Sequence, residues 1–333
     1  MMKLSVLDQS PISMGETPEM ALQHTLELAK WTEELGYHRY WVAEHHNTNG
    51  LAISAPEIVM ARIASVTNHI RVGSGGILLP QYSAYKVAEI GKTLAAFFPN
   101  RIDIGVGNSP GGSQQTRAAL IDNPSGSLTE FPQQVADLQG FLHNSLPRDH
   151  DFRLVKASPR VEQAPPLWML GLSERSAKHA AELGAGFIFG HFIYPGSGVK
   201  ALQAYRDHFS PSVDREAPES MACIFIVCAE TEEEAEEHAL TQDKWLLNVS
   251  KGLGTKVVSA EAVRRDEGKL STEDKEMIKK NRERCIVGTP ETVKQQLLAL
   301  QEKYQTDEFM VINNTFDFEA KKKSYRLLAE AML

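Results

Sequence analysis

The sequence predicts an α/β protein, a (β/α)₈ TIM barrel with insertions after its fourth and seventh strands. Short β-rich runs alternate with amphipathic helical runs over the 333 residues, and this alternation yields eight strands, each followed by helical sequence. No shift in composition and no linker divides the chain. We therefore expect a single domain over residues 1–333.

The expected elements alternate along the whole chain. Runs rich in β-branched and aromatic residues predict the strands, and amphipathic runs predict the helices. Strands are expected at residues 3–7, 38–43, 70–79, 101–106, 167–170, 186–189, 221–229 and 309–312. Helices are expected at residues 17–35, 56–66, 84–97, 174–183, 200–209, from 231 onward, 290–304 and 319–332. Pro18 suits the first turn of the first helix.

A doubly wound nucleotide-binding sheet is the alternative architecture for such an alternation. That sheet would carry its ligand-binding glycines in the turn after the first strand. Here the turn reads Asp8-Gln9-Ser10-Pro11 and contains no glycine. Residues 108–164 and 251–287 exceed what a plain barrel needs, and we expect these two insertions to form binding loops or lids.

Composition excludes several classes of protein. The chain has 43 acidic and 35 basic residues, a net charge of -8, which disfavours a nucleic-acid binder because such proteins need a basic face. Three cysteines, Cys223, Cys228 and Cys285, form neither a disulfide framework nor a spaced zinc motif. No signal peptide or long apolar segment is visible, so we expect a cytoplasmic protein without membrane contact.

The candidate active site consists of the residues that follow each strand, because barrel enzymes react at the carboxyl ends of their strands. These positions are rich in small residues and histidines and poor in carboxylates, which disfavours a glycosidase. They are Asp8-Gln9-Ser10, Glu44-His45-His46, Ser74-Gly75-Gly76, Gly107-Asn108-Ser109, Leu172-Ser173, Gly190-His191, Cys228 and Asn313-Asn314.

The Glu44-His45-His46 sequence is the strongest candidate for chemistry. Neighbouring strand residues point to opposite faces, so at most one histidine faces the barrel axis and we expect no metal site. A single histidine at a strand end suits a base or a hydrogen-bond donor near neutral pH. A plain packing role for both histidines remains the alternative.

Two further segments have both a structural and a ligand-binding interpretation. The glycine-rich run 73–76 suits either a bulge in a crowded barrel or a flat ligand lying against bare backbone. Ser173 and Ser176 suit helix capping. Together with Arg175 at the same helix N-terminus, they also suit an anion site.

Several of these segments resemble one family, the flavin-dependent bacterial luciferase-like monooxygenases. The matching segments are MKLSVLDQSPISMGET, YWVAEHHN, IRVGSGGILLPQYSAYKVAE, FFPNRIDIGVGNSPGG, WMLGLSERSAKHAAELG and FGHF. They extend from the N-terminus past the sixth predicted strand, and the C-terminal strand and helix match loosely. Together they are specific, whereas the E-H-H triplet alone would be weak.

The resemblance implies a barrel that binds reduced FMN, receives it from a separate NAD(P)H-dependent flavin reductase, and uses O₂ to oxidise a small organic substrate. It implies acid/base chemistry at His45 and a non-proline cis peptide between Gly75 and Gly76 against the flavin ring. Ser173 and Ser176 match the hydroxyls that bind the flavin phosphate. We also expect a homodimer.

The sequence departs from the family pattern at three positions. Asn108 stands where relatives often carry an arginine that reaches the phosphate, and Leu172 replaces the first residue of a serine pair. Gly107 occupies the position of luciferase's reactive cysteine, and nothing supports light emission. We expect Arg175 to supply the missing phosphate contact, with a solvated Arg175 as the alternative. The alternative functions are an oxidoreductase that uses the deazaflavin F420 and a flavin-binding protein without turnover.

Overall fold

The computed structural model describes residues 2–121 and 128–333, and it confirms the (β/α)₈ barrel. Its strands are β1 (Lys3–Asp8), β2 (Arg39–Val42), β3 (Arg71–Ser74), β4 (Ile102–Val106), β5 (Leu167–Gly171), β6 (Gly186–Phe189), β7 (Ser220–Cys228), β8 (Cys285–Gly288) and β9 (Glu308–Ile312). β1 to β7 pair in sequence order and in parallel. β9 pairs with both β7 and β1 and closes the barrel.

Helices surround the barrel and connect its strands. They are α1 (Pro18–Glu34), α2 (Pro56–Val66), α3 (Ala84–Phe97), α4 (Gln114–Leu120), α5 (Phe131–His143), α6 (Glu174–Glu182), α7 (Gly198–Asp207), α8 (Glu232–Ser250), α9 (Ala260–Asp266), α10 (Thr272–Arg282), α11 (Pro290–Tyr304) and α12 (Phe318–Met332). Among the described residues, none of these helices combines the length and the apolar character needed to cross a membrane.

The expected insertion at 108–164 contains α4 and α5, and part of it lies outside the described residues. The expected insertion at 251–287 is more ordered than a loop, because it contains α9, α10 and most of β8. β8 pairs with the last four residues of β7, beyond the point where β7 pairs with β6. Sequence analysis missed this strand because its four residues carry only a short apolar run, which periodicity cannot assign.

The third strand is shorter than the expected 70–79, because the chain leaves the sheet after Ser74. The Ser74 hydroxyl donates to the Gly105 carbonyl at 2.8 Å and accepts from the Gly105 N–H at 3.0 Å. A cis peptide bond joins Gly75 and Gly76, as the family resemblance implies. Ile77 then pairs again with β4, donating its N–H to the Gly105 carbonyl at 2.8 Å.

Two fully buried tryptophans fill the barrel interior. Trp41 and Trp168 meet edge to face, with ring centroids 5.8 Å apart. Gly73 gives Trp41 its space, since a Cβ there would lie 2.5 Å from the indole nitrogen. Part of the glycine-rich run therefore serves packing, which was one of its two expected roles.

A buried ion-pair cluster closes the amino-terminal end of the barrel. Arg39 contacts Asp103 at 2.8 Å, Glu219 at 2.8 Å and Glu308 at 2.9 Å. Burial raises the pKa of Asp103, but Arg39 and Arg71 outweigh it and hold that pKa at about 2. Because this end is filled, the carboxyl ends of the strands form the mouth that a ligand can reach.

Candidate active site

The predicted site residues lie around one half of the barrel mouth. His45 follows β2, Gly75 and Gly76 follow β3, Asn108 follows β4, and Ser173 follows β5. These four strands are neighbours in the sheet. Since adjacent strands lie about 4.8 Å apart, the residues form one continuous rim.

The glycines after β3 and β4 have different surroundings. A Cβ at Gly76 would lie 2.9 Å from the Gly105 carbonyl oxygen and 3.1 Å from Leu170 Cδ1, and a Cβ at Gly75 would lie 2.5 Å from Leu7 Cδ1. Both residues thus face protein in the side-chain direction. At Gly107 a Cβ would meet nothing within 4 Å. The space beside Gly107 is therefore open.

His45 is half-buried at the end of β2, and its backbone N–H donates to the Ile53 carbonyl at 2.9 Å. Its Nδ1 atom is buried and has no hydrogen-bond partner within the part of the chain that the structure describes. Burial, assisted by nearby His46, lowers the pKa of His45 to about 4. At neutral pH the imidazole is therefore uncharged.

Glu44, a strand-end candidate from the sequence, contacts Tyr82, which the sequence did not point to. The buried Glu44 carboxylate accepts hydrogen bonds from His46 Nε2 at 2.6 Å, from the Leu78 N–H at 2.9 Å and from the Tyr82 hydroxyl at 2.7 Å. Burial together with Glu44 raises the pKa of Tyr82. Glu44 thus connects the end of β2 to the turn that follows Gly76. Glu44 and His46 are two residues apart and therefore on one face of an extended chain, and this spacing was the sequence signal for their contact.

An open cleft of about 750 Å³ lies beside His45, between residues 45–54 and residues 249–255, and we call it the His45 cleft. Its lining residues are His45, Asn47, Thr48, Asn49, Leu51, Ala52, Ser54, Val249, Gly252, Leu253, Gly254 and Thr255. Thr48 and Thr255 join the two walls by a 2.6 Å hydrogen bond between their hydroxyls, and Trp245 Nε1 donates to the Thr255 carbonyl at 2.8 Å. Part of the expected 251–287 insertion therefore lines the mouth.

Ser173 and Ser176 form a capping box at the start of α6. The Ser173 hydroxyl accepts from the Ser176 N–H at 3.3 Å, and the Ser176 hydroxyl accepts from the Ser173 N–H at 3.2 Å. Capping is therefore one role of this pair. Ser173 and Arg175 are both exposed beside the positive end of the helix dipole, where anions bind favourably.

Asn108 is exposed after β4, and its Nδ2 donates to the Leu128 carbonyl at 3.3 Å. This contact ties the β4 end to the long connection before β5. One donor of the amide is thus already engaged within the protein.

A buried amide group on the far side of the mouth was also missed. Asn314, after β9, donates from Nδ2 to Gln9 Oε1 at 2.9 Å, and its N–H donates to Gln242 Oε1 at 3.4 Å. Asn314 Oδ1 is buried and has no hydrogen-bond partner among residues 2–121 and 128–333. Sequence analysis placed Gln9 and Asn314 at strand ends but had no means of pairing them.

These features fit a flat, partly apolar ligand that carries an anionic group. Bare backbone and the open space at Gly107 suit the flat part. The helix N-terminus with its two hydroxyls suits the anion. A noncovalent flavin nucleotide has this chemical character.

The fold is a (β/α)₈ barrel, and comparison with known proteins assigns its family. Residues 2–306 match the model of the luciferase-like monooxygenases, and the chain belongs to this family. It is similar over its full length to the Bacillus subtilis (strain 168) protein YceB, with 54% identity over 333 residues and 100% of both chains covered. The N-acetyl-S-alkylcysteine monooxygenase of the same organism is 37% identical and covers 100% of this chain and 99% of its own.

Solved structures show the same fold. The crystal structure of apo-MsnO8 has a TM-score of 0.88 at 36% identity and covers 99% of this chain and 98% of its own. The FMN complex of the oxygenating constituent of 3,6-diketocamphane monooxygenase from Pseudomonas putida has a TM-score of 0.72 at 16% identity, with 99% and 98% covered. An F420-dependent secondary alcohol dehydrogenase has a TM-score of 0.65 at 14% identity, with 100% and 99% covered. The last two likenesses concern the fold alone.

Proposed function

We propose that this chain is the oxygenase of a two-component FMN-dependent monooxygenase. A separate NAD(P)H-dependent flavin reductase would supply the reduced FMN, and O₂ would oxidise a small organic substrate. The observation that carries the proposal is the open mouth beside Gly107, flanked by an unpartnered His45 Nδ1 and by the N-terminus of α6. Family membership supports the oxidoreductase class.

In this proposal the residues of the mouth divide between the two ends of FMN. The backbone of Gly75 and Gly76, with the space beside Gly107, would hold the ring system. The hydroxyls of Ser173 and Ser176 and the exposed Arg175 would hold the phosphate, because a helix N-terminus and a guanidinium both favour an anion. Asn108, on the same rim, would contribute a neutral hydrogen bond at most.

Bound reduced FMN supplies the electrons that activate O₂, and the residues of this chain handle protons and access. His45 is uncharged at neutral pH and would accept or donate one proton through its imidazole. Glu44 would act at a distance, holding His46 and the turn after Gly76 in place through three hydrogen bonds. The two walls of the His45 cleft would limit the entry of water.

The substrate class and the assembly also belong to the proposal. N-acetyl-S-alkylcysteines, together with their uncharged primary amides, enter the first substrate panel because a relative with 37% identity is named N-acetyl-S-alkylcysteine monooxygenase. We further propose that the chain acts as one luciferase-like barrel domain, as a homodimer, in the cytoplasm.

Reconstitution with FMN, NADH and a separate flavin reductase tests the function. With a substrate panel and ¹⁸O₂, we expect substrate-dependent oxygen consumption and a product that gains one ¹⁸O atom. FMN binding without oxidation of any panel compound would instead indicate a flavin-binding protein without turnover. Binding of F420 in preference to FMN would indicate a deazaflavin-dependent oxidoreductase.

A further inference from the structure

The His45 cleft has a lining without ionised side chains. Its volume of about 750 Å³ lies in the range of small-molecule sites. The lining residues that can form hydrogen bonds are asparagine, threonine and serine, and the rest, apart from His45, are aliphatic or glycine. His45 does not change this balance at neutral pH, since burial lowers its pKa to about 4.

Three charged groups near the cleft are hydrogen-bonded to other protein groups. The Glu44 carboxylate accepts hydrogen bonds from His46, Tyr82 and a backbone N–H. Lys251 belongs to the 249–255 wall but does not line the cleft, and it contacts Asp274 at 2.8 Å. Lys256 follows the same wall, and its Nζ donates to the Glu16 carbonyl at 3.1 Å. A charged ligand in the cleft would therefore meet no free counter-ion among the lining residues.

We propose that the His45 cleft is the substrate subsite and that it selects uncharged molecules with a hydrogen-bonding group over carboxylates and amines. This inference rests on the proposed function and specifies its substrate class. The physical reason is desolvation, because an ion that leaves water needs a counter-ion or several strong hydrogen bonds in exchange. A neutral amide, ketone or alcohol loses far less hydration and can pair with Asn47, Asn49 or Thr255.

Ser54 is the position where this selection can be altered. It lines the cleft, is exposed, and forms no hydrogen bond to the described parts of the chain. A lysine there would place a cation at the rim without removing a structural contact. Ile58, one turn into α2 and 68% exposed, is not among the lining residues and provides a control with the same added charge.

Calorimetric titration of the FMN-loaded protein with matched ligand pairs tests the proposal. The pairs are N-acetyl-S-benzylcysteine and its primary amide, benzoic acid and benzamide, and benzylamine and N-benzylacetamide. We expect the uncharged member of at least one pair to bind, and to bind at least about tenfold more tightly than its charged partner. Ser54→Lys should shift the acid-to-amide affinity ratio toward the acid by roughly fivefold, and Ile58→Lys should leave the ratio unchanged.

Three results would overturn the inference: charged members that bind as tightly as their uncharged partners, no binding of any uncharged member, or an equal shift in Ile58→Lys. A flavin titration of the same preparation examines the proposed function separately. Loss of FMN binding would count against the monooxygenase, whereas the ligand preference reports on the cleft alone.

Discussion

At the level of single residues, His45 and His46 are neighbours in sequence but differ in their partners. His46 lies 2.6 Å from the buried Glu44 carboxylate and is held by it. His45 faces the cleft with a buried Nδ1 that no described protein group contacts. His46 is therefore a positioning residue, and His45 is the candidate for proton transfer.

Replacing His45 tests this assignment. We expect His45→Ala to lower turnover by about 10² to 10⁴-fold, the usual contribution of a positioned acid or base, while FMN affinity changes little. His69→Ala is the matched control, because the His69 side chain is 77% exposed and lies outside the mouth. Steady-state product formation with an independent FMN titration provides both measurements. Normal turnover in His45→Ala would exclude the role.

The lowered pKa of His45 also predicts a pH dependence of stability. The native pKa of about 4 lies below the ordinary value of 6.5, so unfolding takes up a proton between these pH values. Stability from this site is thus present above pH 6.5 and is lost as the pH falls toward 4. As the pH falls from 6.5 to 4, the melting temperature of the wild type should fall relative to that of His45→Gln. His191, whose pKa is also lowered, is present in both proteins and does not affect this comparison. A constant difference would contradict the shift.

Arg175 is predicted to bind the flavin phosphate. A guanidinium hydrogen bond to an anion contributes about 1.5 to 3 kcal/mol, so Arg175→Ala should weaken FMN binding by about 10 to 150-fold. Riboflavin, which lacks the phosphate, should bind both proteins equally. Lys178→Ala, on the same helix, is the control for loss of one positive charge. Equal losses for FMN and riboflavin would reveal a structural defect, and no loss for either would leave Arg175 in solvent.

At the level of elements, local pattern predicted the barrel strands but not their ends. β3 ends at Ser74 because the Ser74 hydroxyl forms hydrogen bonds with the backbone carbonyl and N–H of Gly105, and the chain then leaves the sheet. These two residues are 31 positions apart in sequence. β8 forms because β7 is nine residues long and extends beyond its pairing with β6. Both outcomes depend on neighbouring strands, and no window of sequence contains them.

The site was predictable to the same limited extent. Strand-end position and family resemblance pointed to His45, the glycine pair and Ser173, since each lies directly after a strand. The bond from Glu44 to Tyr82 joins residues 38 positions apart, and Asn314 meets Gln9 across 305 positions. Such pairings depend on how the strands are arranged in the closed barrel. The sequence pattern predicts the order of the strands but not these side-chain contacts.

Gly107 and Gly76, both at the mouth, should respond differently to substitution by valine. Gly107→Val would fill open space and should weaken FMN by at least about tenfold without unfolding the barrel. Gly76→Val would press its Cβ against the Gly105 carbonyl, so its main effect should be a stability loss of about 1 to 3 kcal/mol or more. FMN titration and thermal melting of both variants separate the two effects. Unchanged FMN affinity in Gly107→Val would exclude this space as the flavin site.

At the level of the whole molecule, the two ends of the barrel differ in how their polar groups are paired. The amino-terminal end is filled by Arg39 and its three carboxylate partners, which a ligand cannot displace without leaving buried charges unpaired. The carboxyl-terminal end holds buried polar atoms, at His45 and at Asn314, that have no hydrogen-bond partner among the residues described. We therefore expect a ligand to bind at the carboxyl-terminal end.

A crystal structure of the chain with bound FMN would show where the flavin lies. We expect the ring system against the backbone of Gly75 and Gly76 and beside Gly107, with its polar edge toward His45. The phosphate should lie at the N-terminus of α6, in contact with the hydroxyls of Ser173 and Ser176 and the guanidinium of Arg175. FMN bound elsewhere, or a mouth that stays empty at saturating FMN, would contradict the account.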